Sequence, residues 1–222
     1  MTRAVCAAVA LAFGMTAPAA AQPSSPGRVE VAIGAGWFGG VSMTPLAITE
    51  TQSNGTPRTV FALARQLTSA AGADARIAVR VSSHWDVEAT GSYVRPQLQL
   101  VPSNDVEGAA PVTAGERLQE FTVGGGVSWF FVDRDSSTRT LPFVIAGVAY
   151  VRQLHETSTL ADDGLLAQAG GGIERMLWWH DGHVKGVGIR ADARARVRPK
   201  ALAVDGRTHV APVIAASLVV RF

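Results

Sequence analysis

The chain contains a single cysteine, Cys6, close to its start. One cysteine cannot form an internal disulfide, and it cannot supply the several thiolates of a structural zinc site. Beyond residue 21 no stretch approaches the roughly 18 uninterrupted apolar residues that are typical of a membrane-spanning helix. These shortages exclude a disulfide scaffold, a cysteine-based metal site and a helical membrane protein.

Lysine is almost absent, because Lys185 and Lys200 are the only lysines among 20 basic residues. Arginine suits semi-buried ion pairs with several hydrogen bonds, whereas lysine is a strongly hydrated surface charge. The formal net charge is only +2, which is too small to indicate a nucleic-acid partner. We therefore expect paired arginines and no binding to nucleic acid.

The first 21 residues have the pattern of an export signal. Arg3 supplies a positive start, residues 4–17 form a nearly unbroken apolar run, and Ala19-Ala20-Ala21 offers a cleavage site with small side chains. An uncleaved anchor is the alternative, but the run is shorter than the about 20 residues that span a bilayer as a helix. The sequence predicts a signal peptide over 1–21, which includes Cys6, and one domain over 22–222.

From Arg28 onward, extended amphipathic runs alternate with polar connections. The pattern predicts eight strands, each long enough for the about 9–11 residues of a tilted transmembrane strand. The predicted strands are 28–40, 72–82, 87–100, 118–132, 141–156, 166–180, 184–198 and 209–222.

The alternation is clearest in residues 186–197, where one face carries three arginines, one aspartate and two glycines and the other is aliphatic. Residues 73–82 and 120–131 repeat this arrangement. A period of two residues is the signature of a strand, because a helix would scatter each set around its axis.

Two predicted strands do not follow the pattern throughout. In 87–100 the polar parity changes, so either a bulge lies near Tyr93–Pro96 or the strand leaves the membrane there. Strand 141–156 is apolar on both faces, and its orientation stays open. Within the long connection 41–71, the apolar spacing predicts a short helix near Thr59–Ser69.

The orientation of the faces decides between a soluble lipocalin-like barrel and a transmembrane barrel. Aromatic residues lie near predicted strand ends, as interfacial girdles require, and the charged face mixes arginine with glycine, which suits a narrow lumen. The aromatic residues concerned are Trp37, Phe38, Trp85, Trp129, Phe130, Phe131, Trp178, Trp179 and Phe222. We therefore predict a single eight-stranded antiparallel transmembrane up-and-down β-barrel with its charged face inward.

Six acids and six arginines are the predicted filling of the lumen. Such balance favours a paired plug over an arginine-lined anion path, since eight strands leave little open lumen. The predicted residues are Glu30, Asp74, Arg76, Arg80, Glu88, Glu120, Glu174, Arg190, Asp192, Arg194, Arg196 and Arg221.

These features resemble the eight-stranded outer-membrane β-barrel family that includes OmpA-type barrel domains, OmpX and OmpW. The resemblance is carried by Ala19-Ala20-Ala21, by residues 170–175 and 188–194, and by the aromatic Phe222 that ends an amphipathic strand. It implies a place in the bacterial cell outer membrane, porin-like architecture, contact with outer-membrane lipid and lipopolysaccharide, and insertion by the barrel-assembly machinery. It names no ligand for the extracellular loops.

Possible catalytic and metal-binding residues are few. Lipid A deacylases of the resembled class use a His-x-Ser pair, but Thr157 stands two residues after His155, and Ser158 comes one later. In His180-Asp181-Gly182-His183 the central pair is a hairpin-turn signal, and His84 and His209 are isolated. Residues 124–126 and 170–172 are glycines within strands, not a phosphate-binding loop. We predict no catalytic residue, no cofactor site and no metal site.

The sequence predicts a structural or surface-interaction role, because function in such scaffolds lies in loops. A narrow channel or transporter for small solutes is the alternative. A lipid-modifying outer-membrane enzyme is a third and weaker hypothesis.

Overall fold

The computed structural model describes residues 28–51, 53, 55–103, 114–134, 139–156, 161–179, 182–198 and 207–222. The predicted signal peptide lies outside these residues. Within them, no helix has the length and apolar content needed to cross a membrane. Eleven strands are present: β1 (Val29–Phe38), β2 (Val41–Thr51), β3 (Pro57–Leu67), β4 (Ala70–Arg80), β5 (Trp85–Val94), β6 (Gln97–Ser103), β7 (Ala114–Phe130), β8 (Thr140–His155), β9 (Ala161–Trp179), β10 (Gly186–Arg198) and β11 (His209–Arg221).

Eight of these strands close into an antiparallel barrel in the order β1, β4, β5, β7, β8, β9, β10, β11 and back to β1. The closing pair joins the two ends of the described chain, with Glu30 opposite Arg221. Closure leaves no unpaired edge, which a strand in hydrocarbon requires because lipid offers no hydrogen-bond partner. The predicted eight-stranded barrel is confirmed.

The barrel wall has an apolar outer face and a charged inner face, as the period-two pattern predicts. Along β10, outward Ile189 exposes 48% of its surface, whereas its neighbour Arg190, turned to the lumen, exposes 3%. The other barrel strands with an amphipathic sequence alternate in the same way. An exposed aliphatic surface around a charged interior inverts the arrangement of a soluble barrel, and it suits a wall that faces acyl chains.

Strands β2, β3 and β6 form, with the first part of β7, a second sheet that we call the loop sheet. It continues the barrel hairpins beyond the wall, since β2 follows β1, β4 follows β3 and β6 follows β5 with only short breaks. Transmembrane barrels carry their longer loops on the extracellular side. The loop sheet therefore marks the extracellular end, and the short turn 81–84 lies at the periplasmic end.

The predicted helix near Thr59–Ser69 is wrong. Residues Pro57–Leu67 are β3, which pairs with β2 on one side and with β6 on the other. The helical spacing of Val60, Leu63, Ala64 and Leu67 arises by coincidence in a segment whose backbone is paired along both edges. Tertiary pairing overrides a weak local periodicity in this case.

The two strands that the sequence left open are now placed. The irregular strand ends at Val94 and resumes as β6 at Gln97, so the chain leaves the barrel wall at Pro96 and enters the loop sheet. In β8 the inward residues are also apolar, among them Phe143, Ile145 and Val151, and Val144 and Val148 face outward. Strand β8 therefore supplies an apolar wall to a lumen that is otherwise charged.

Outward aromatic side chains form two belts, but Phe38 and Phe130 of the predicted girdle residues are instead buried in the lumen beneath Arg196 and Arg134. Trp85 pairs with Trp129 near the periplasmic end, and Tyr93 pairs with Phe121 near the extracellular end. Eight residues separate the two belts on β5 and again on β7, which is about 26 Å along a strand at ~3.3 Å per residue. With the usual tilt of 35–45° the height is about 20 Å, close to the ~25 Å apolar band of such barrels.

Candidate functional site in the lumen and at the extracellular end

At the periplasmic end of the lumen, Glu30 on β1 is surrounded by three guanidinium groups. Arg76 Nη2 donates to Glu30 Oε1 at 2.6 Å, and Arg221 Nε donates to Oε2 at 3.0 Å. Arg134 Nη2, from the turn after β7, donates to the same Oε2 at 2.5 Å. One carboxylate thus ties β1 to β4, to β11 and to a periplasmic turn, with all four side chains buried.

Further buried pairs extend this cluster across the lumen. Glu88 Oε1 accepts from Arg76 Nη1 at 2.7 Å, from Ser128 Oγ at 2.5 Å and from Arg190 Nη1 at 3.3 Å. Two more ion pairs, Arg221 with Glu174 and Arg134 with Asp86, complete the periplasmic group.

A second group of charges fills the extracellular half. Arg194 lies between Asp192 and Asp74, with N···O distances of 2.6 and 3.2 Å. Above it, Glu120 accepts from Arg198 Nη2 and from Gln153 Nε2, both at 2.7 Å. The charged filling therefore runs from one end of the barrel to the other.

The structure places eleven of the twelve predicted lumen residues in the buried interior, and the twelfth, Arg80, is half-buried at the periplasmic end. Sequence reasoning missed Asp86, Arg134 and Arg198, although Asp86 shares the inward parity of β5 and Arg134 continues that of β7 into the following turn. With them the inward carboxylates are Glu30, Asp74, Asp86, Glu88, Glu120, Glu174 and Asp192. Their partners are Arg76, Arg134, Arg190, Arg194, Arg196, Arg198 and Arg221.

The packed charges leave almost no free volume in the centre of the barrel. The space enclosed among Asp74, Arg76, Glu88 and their neighbours is about 10 Å³, about enough for one water molecule. Aromatic rings close the remaining gaps, since the Arg190 guanidinium lies 3.7 Å from the Phe143 ring centre. Buried charges of this kind are tolerated only when they are paired and hydrogen-bonded.

At the extracellular end, His155 lies between two carboxylates. Its Nδ1 is 3.1 Å from Glu116 and its Nε2 is 3.3 Å from Asp162, so the imidazole links β7, β8 and β9. His155 pairs with Leu118 of β7, three residues from Phe121 of the extracellular aromatic belt on its extracellular side. It therefore lies beyond the membrane-spanning part of β8. Partial burial lowers the pKa of His155, but the hydrogen bonds that its ring donates to the two carboxylates, together with their charges, outweigh burial and raise the pKa above the usual value of 6.5.

A small cavity adjoins His155 where the barrel meets the loop sheet. Its volume is about 30 Å³, and apolar side chains from β2, β3, β6 and β7 form most of its wall. The apolar lining consists of Val41, Met43, Leu67, Leu98 and Leu118. The cavity is far smaller than the ~300 Å³ of a typical small-molecule site, and it works as the apolar seal of the lumen.

The structure describes only some of the other catalytic and metal-binding candidates from the sequence. Both ring nitrogens of His155 face carboxylates, so neither is free to act as a base for a hydroxyl. Thr157, Ser158, His180 and Asp181 lie outside the described residues. In the described part of the chain, no group of three or more histidine, cysteine or acidic residues is arranged to hold a metal ion.

The glycine triplets lie in strands, as predicted, in β7 and β9. A Cβ added at Gly170 or Gly172 would stand 2.1 Å from a carbonyl oxygen of β10. Only glycine permits this close approach of β9 and β10, which leaves room in the lumen for the arginines of β10.

No family model and no curated protein matches this sequence. The fold is similar to solved outer-membrane barrels. Neisserial surface protein A has 14% identity and a TM-score of 0.50 over 87% of this chain and 97% of its own. OprG from Pseudomonas aeruginosa has 12% identity, a TM-score of 0.47 and coverage of 88% and 97%. Ail, the attachment invasion locus protein of Yersinia pestis, has 10% identity, a TM-score of 0.41 and coverage of 89% and 100%. The fold is that of an eight-stranded outer-membrane barrel, in agreement with the predicted location.

Proposed function

We propose that this protein is a plugged outer-membrane barrel whose role is structural and surface-interaction. The observation that carries the proposal is the continuous filling of the lumen by seven carboxylates and seven arginines, with about 10 Å³ enclosed at its centre. Movement of a solute would require several buried ion pairs to separate together, and breaking one such pair costs about 3–5 kcal/mol.

The loop sheet supports the surface-interaction part of the proposal. From Pro45 to Thr51, residues of β2 are exposed on both faces, so this hairpin projects beyond the barrel and buries little of itself. A rigid barrel that holds a projecting sheet presents a large area to the exterior, and loops positioned by a rigid scaffold commonly carry binding function. The wall would contact outer-membrane lipid and lipopolysaccharide, after insertion by the barrel-assembly machinery.

Conductance in planar bilayers tests the plug. We expect the purified, folded barrel to give no stable current steps, because every cross-section between the aromatic belts contains paired side chains. A Glu30→Ala/Arg76→Ala double variant is the matched opening control, since it removes one acid and one base together. Stable conductance from the unmodified protein would refute the plug and favour the alternative of a narrow channel.

Removal of the projecting hairpin tests the surface role. A variant in which residues 44–64 are replaced by a two-residue Asn-Gly turn keeps all eight barrel strands. We expect it to migrate with the heat-dependent shift of a folded barrel and to lose adhesion of expressing cells to host-type or abiotic surfaces. Unchanged adhesion of the hairpin variant would contradict a role for the loop sheet.

A further inference from the structure

We propose that the outer wall carries a site for one phospholipid of the periplasmic leaflet, with the lipid phosphate on Arg175 and an acyl chain in a groove across β9, β10 and β11. The groove has a volume of about 510 Å³, within the ~300–1,000 Å³ range of ligand sites in proteins. The residues whose side chains define it are Ile173, Arg175, Ile189, Ala191, Ala216 and Leu218. This inference rests on membrane embedding and not on the plug.

The position of Arg175 in β9 is unusual for a charged residue of this barrel. Its neighbours Glu174 and Met176 are fully buried, whereas Arg175 is exposed together with Ile173 and Leu177. Its guanidinium therefore belongs to the lipid-facing wall. Among the described residues no ion pair or hydrogen bond of the Arg175 side chain is present, in contrast to the paired arginines of the lumen.

The height of Arg175 matches the headgroup region of the periplasmic leaflet. It pairs across the sheet with Thr140, the first residue of β8, and with Ile189 near the start of β10. Phe131 of the periplasmic aromatic region donates its backbone N–H to Pro142, two residues beyond Thr140. An arginine at this depth costs little and can reach a phosphate, whereas the same residue at the midplane of the bilayer would be strongly destabilising.

The shape of the wall above Arg175 suits an acyl chain. Ala191 and Ala216 lie side by side on neighbouring strands and form a depression toward the membrane centre, and Ile173 and Leu218 stand on its two sides with about half of their surfaces exposed. A cation at the headgroup level with an apolar groove on its membrane side matches the amphipathic form of a diacyl phospholipid. The charge favours an anionic headgroup.

Native mass spectrometry of the delipidated, detergent-solubilised barrel tests the proposal. The probes are dioleoylphosphatidylglycerol, dioleoylglycerol with the same chains and no phosphate, and glycerol 3-phosphate with no chains. We expect a one-to-one complex with the phospholipid and at least about fivefold weaker binding of either partial probe, because each lacks one half of the recognised chemistry.

Point variants test the phosphate contact and the acyl-chain groove separately. Arg175→Gln should weaken phospholipid binding about fivefold, and Arg175→Lys should retain most of it. Ala216→Phe should also weaken binding by filling the groove while Arg175 remains. Arg152→Gln is the matched control, because Arg152 is an exposed arginine of the outer wall at the opposite, extracellular end.

Every variant is first required to show the heat-dependent gel shift of a folded barrel. If Arg175→Gln does not fold, the other two variants test the proposal: Arg175→Lys should retain most of the phospholipid binding, and Ala216→Phe should weaken it. Three results would each overturn the proposal. Arg175→Gln could bind the phospholipid as strongly as the native protein, Arg152→Gln could lose as much binding as Arg175→Gln, or glycerol 3-phosphate could bind as strongly as the phospholipid. A dimer in the same spectra that Ala216→Phe abolishes would overturn it too, by showing that a second copy covers the groove.

Discussion

The barrel and the loop sheet both consist of antiparallel strands, yet their strand pairing differs in regularity. In the barrel, pairing is continuous, and the long β9–β10 ladder contains one register shift, at Val187/Gly188. In the loop sheet, the β2–β3 hairpin alone contains two shifts, at Met43/Leu46 and Ile48/Thr49. Lipid leaves an unpaired backbone group without a partner, whereas water satisfies it, so the sheet in water tolerates more interruptions than the barrel wall.

Charges also differ between the two regions. Each lumen carboxylate is buried against guanidinium groups, as in the contacts of Glu30 with Arg76, Arg134 and Arg221. In the loop sheet, Glu50 faces Arg58 across the hairpin with both residues exposed to solvent. From this difference we expect ion pairs of the same residue types to affect the free energy of unfolding strongly only where solvent is excluded.

The largest expected effect comes from the removal of one lumen carboxylate. Glu30→Gln should reduce the free energy of unfolding by about 3–5 kcal/mol, because three buried guanidinium groups lose their shared counter-charge. Glu50→Gln should change it by less than about 0.5 kcal/mol. Urea unfolding in detergent micelles measures both, and equal effects would remove the distinction between the two regions.

A charge on the outer wall should have the next largest effect. Ile33→Arg places a guanidinium on the lipid-facing side of β1, where Ile33 exposes 66% of its surface, and should cost about 2–4 kcal/mol. Leu46→Arg, at an exposed position of β2, should be nearly neutral. Refolding yield into lipid vesicles and the unfolding midpoint report the difference, and a tolerated Ile33→Arg would contradict the membrane-facing wall.

Adding a side chain between β9 and β10 should have a smaller effect on the free energy of unfolding. Gly172→Ala would bring a Cβ to 2.1 Å from the Ala191 carbonyl oxygen, and the strands must shift at a cost of about 1–3 kcal/mol. At Gly115, in the loop sheet, an added Cβ meets nothing within 4 Å, so Gly115→Ala serves as the control. Unfolding midpoints that fall equally in both variants would show that close approach in the barrel is not the cause.

The smallest effect should be a pH dependence at the extracellular end. Because the folded state raises the pKa of His155 above 6.5, the imidazolium link to Glu116 and Asp162 is fully present below pH 6.5 and is lost as the pH rises through the folded pKa. Amide exchange at residues 161–164, corrected for the intrinsic rate, should be up to about fivefold slower at pH 6 than at pH 8, as expected for a weak, partly exposed link. His155→Gln should abolish this difference, and a difference that persists would assign it to another group.

The sequence predicted the barrel because its determinants are local. Alternation along β10 is visible in consecutive residues, and it correctly placed Arg190, Asp192, Arg194 and Arg196 in the lumen. Asp86 was missed because the predicted strand began one residue later, at 87, whereas β5 begins at Trp85. Arg134 was missed because it lies in the turn after β7. Their inward direction depends on the neighbouring strands that close over them.

The loop sheet was missed for a different reason. Residues 45–51 of β2 are exposed on both faces and residues 62–65 of β3 are all half-buried, so no alternating buried stripe marks these strands in the sequence. Strand β3 also has an accidental helical spacing. The pairing of β3 with β6 joins residues that are 31 to 41 positions apart, from Leu67 with Leu98 to Ala62 with Ser103. Such non-local pairing leaves no periodic signal. The groove beside Arg175 likewise depends on three strands whose registers only the fold defines.

Spin labels along β8 test the central arrangement most directly, and the sequence has no cysteine after Cys6 to interfere. Single cysteines are introduced by Val144→Cys, Ala146→Cys and Val148→Cys on the outer wall, and by Ile145→Cys and Ala149→Cys on the lumen side. In lipid vesicles we predict high oxygen accessibility at the three outward sites, and immobilised labels that neither oxygen nor a water-soluble nickel chelate reaches at the two inward sites. Access of the nickel chelate to the inward sites would contradict the account, because it would show a water-filled lumen in place of a paired and packed one.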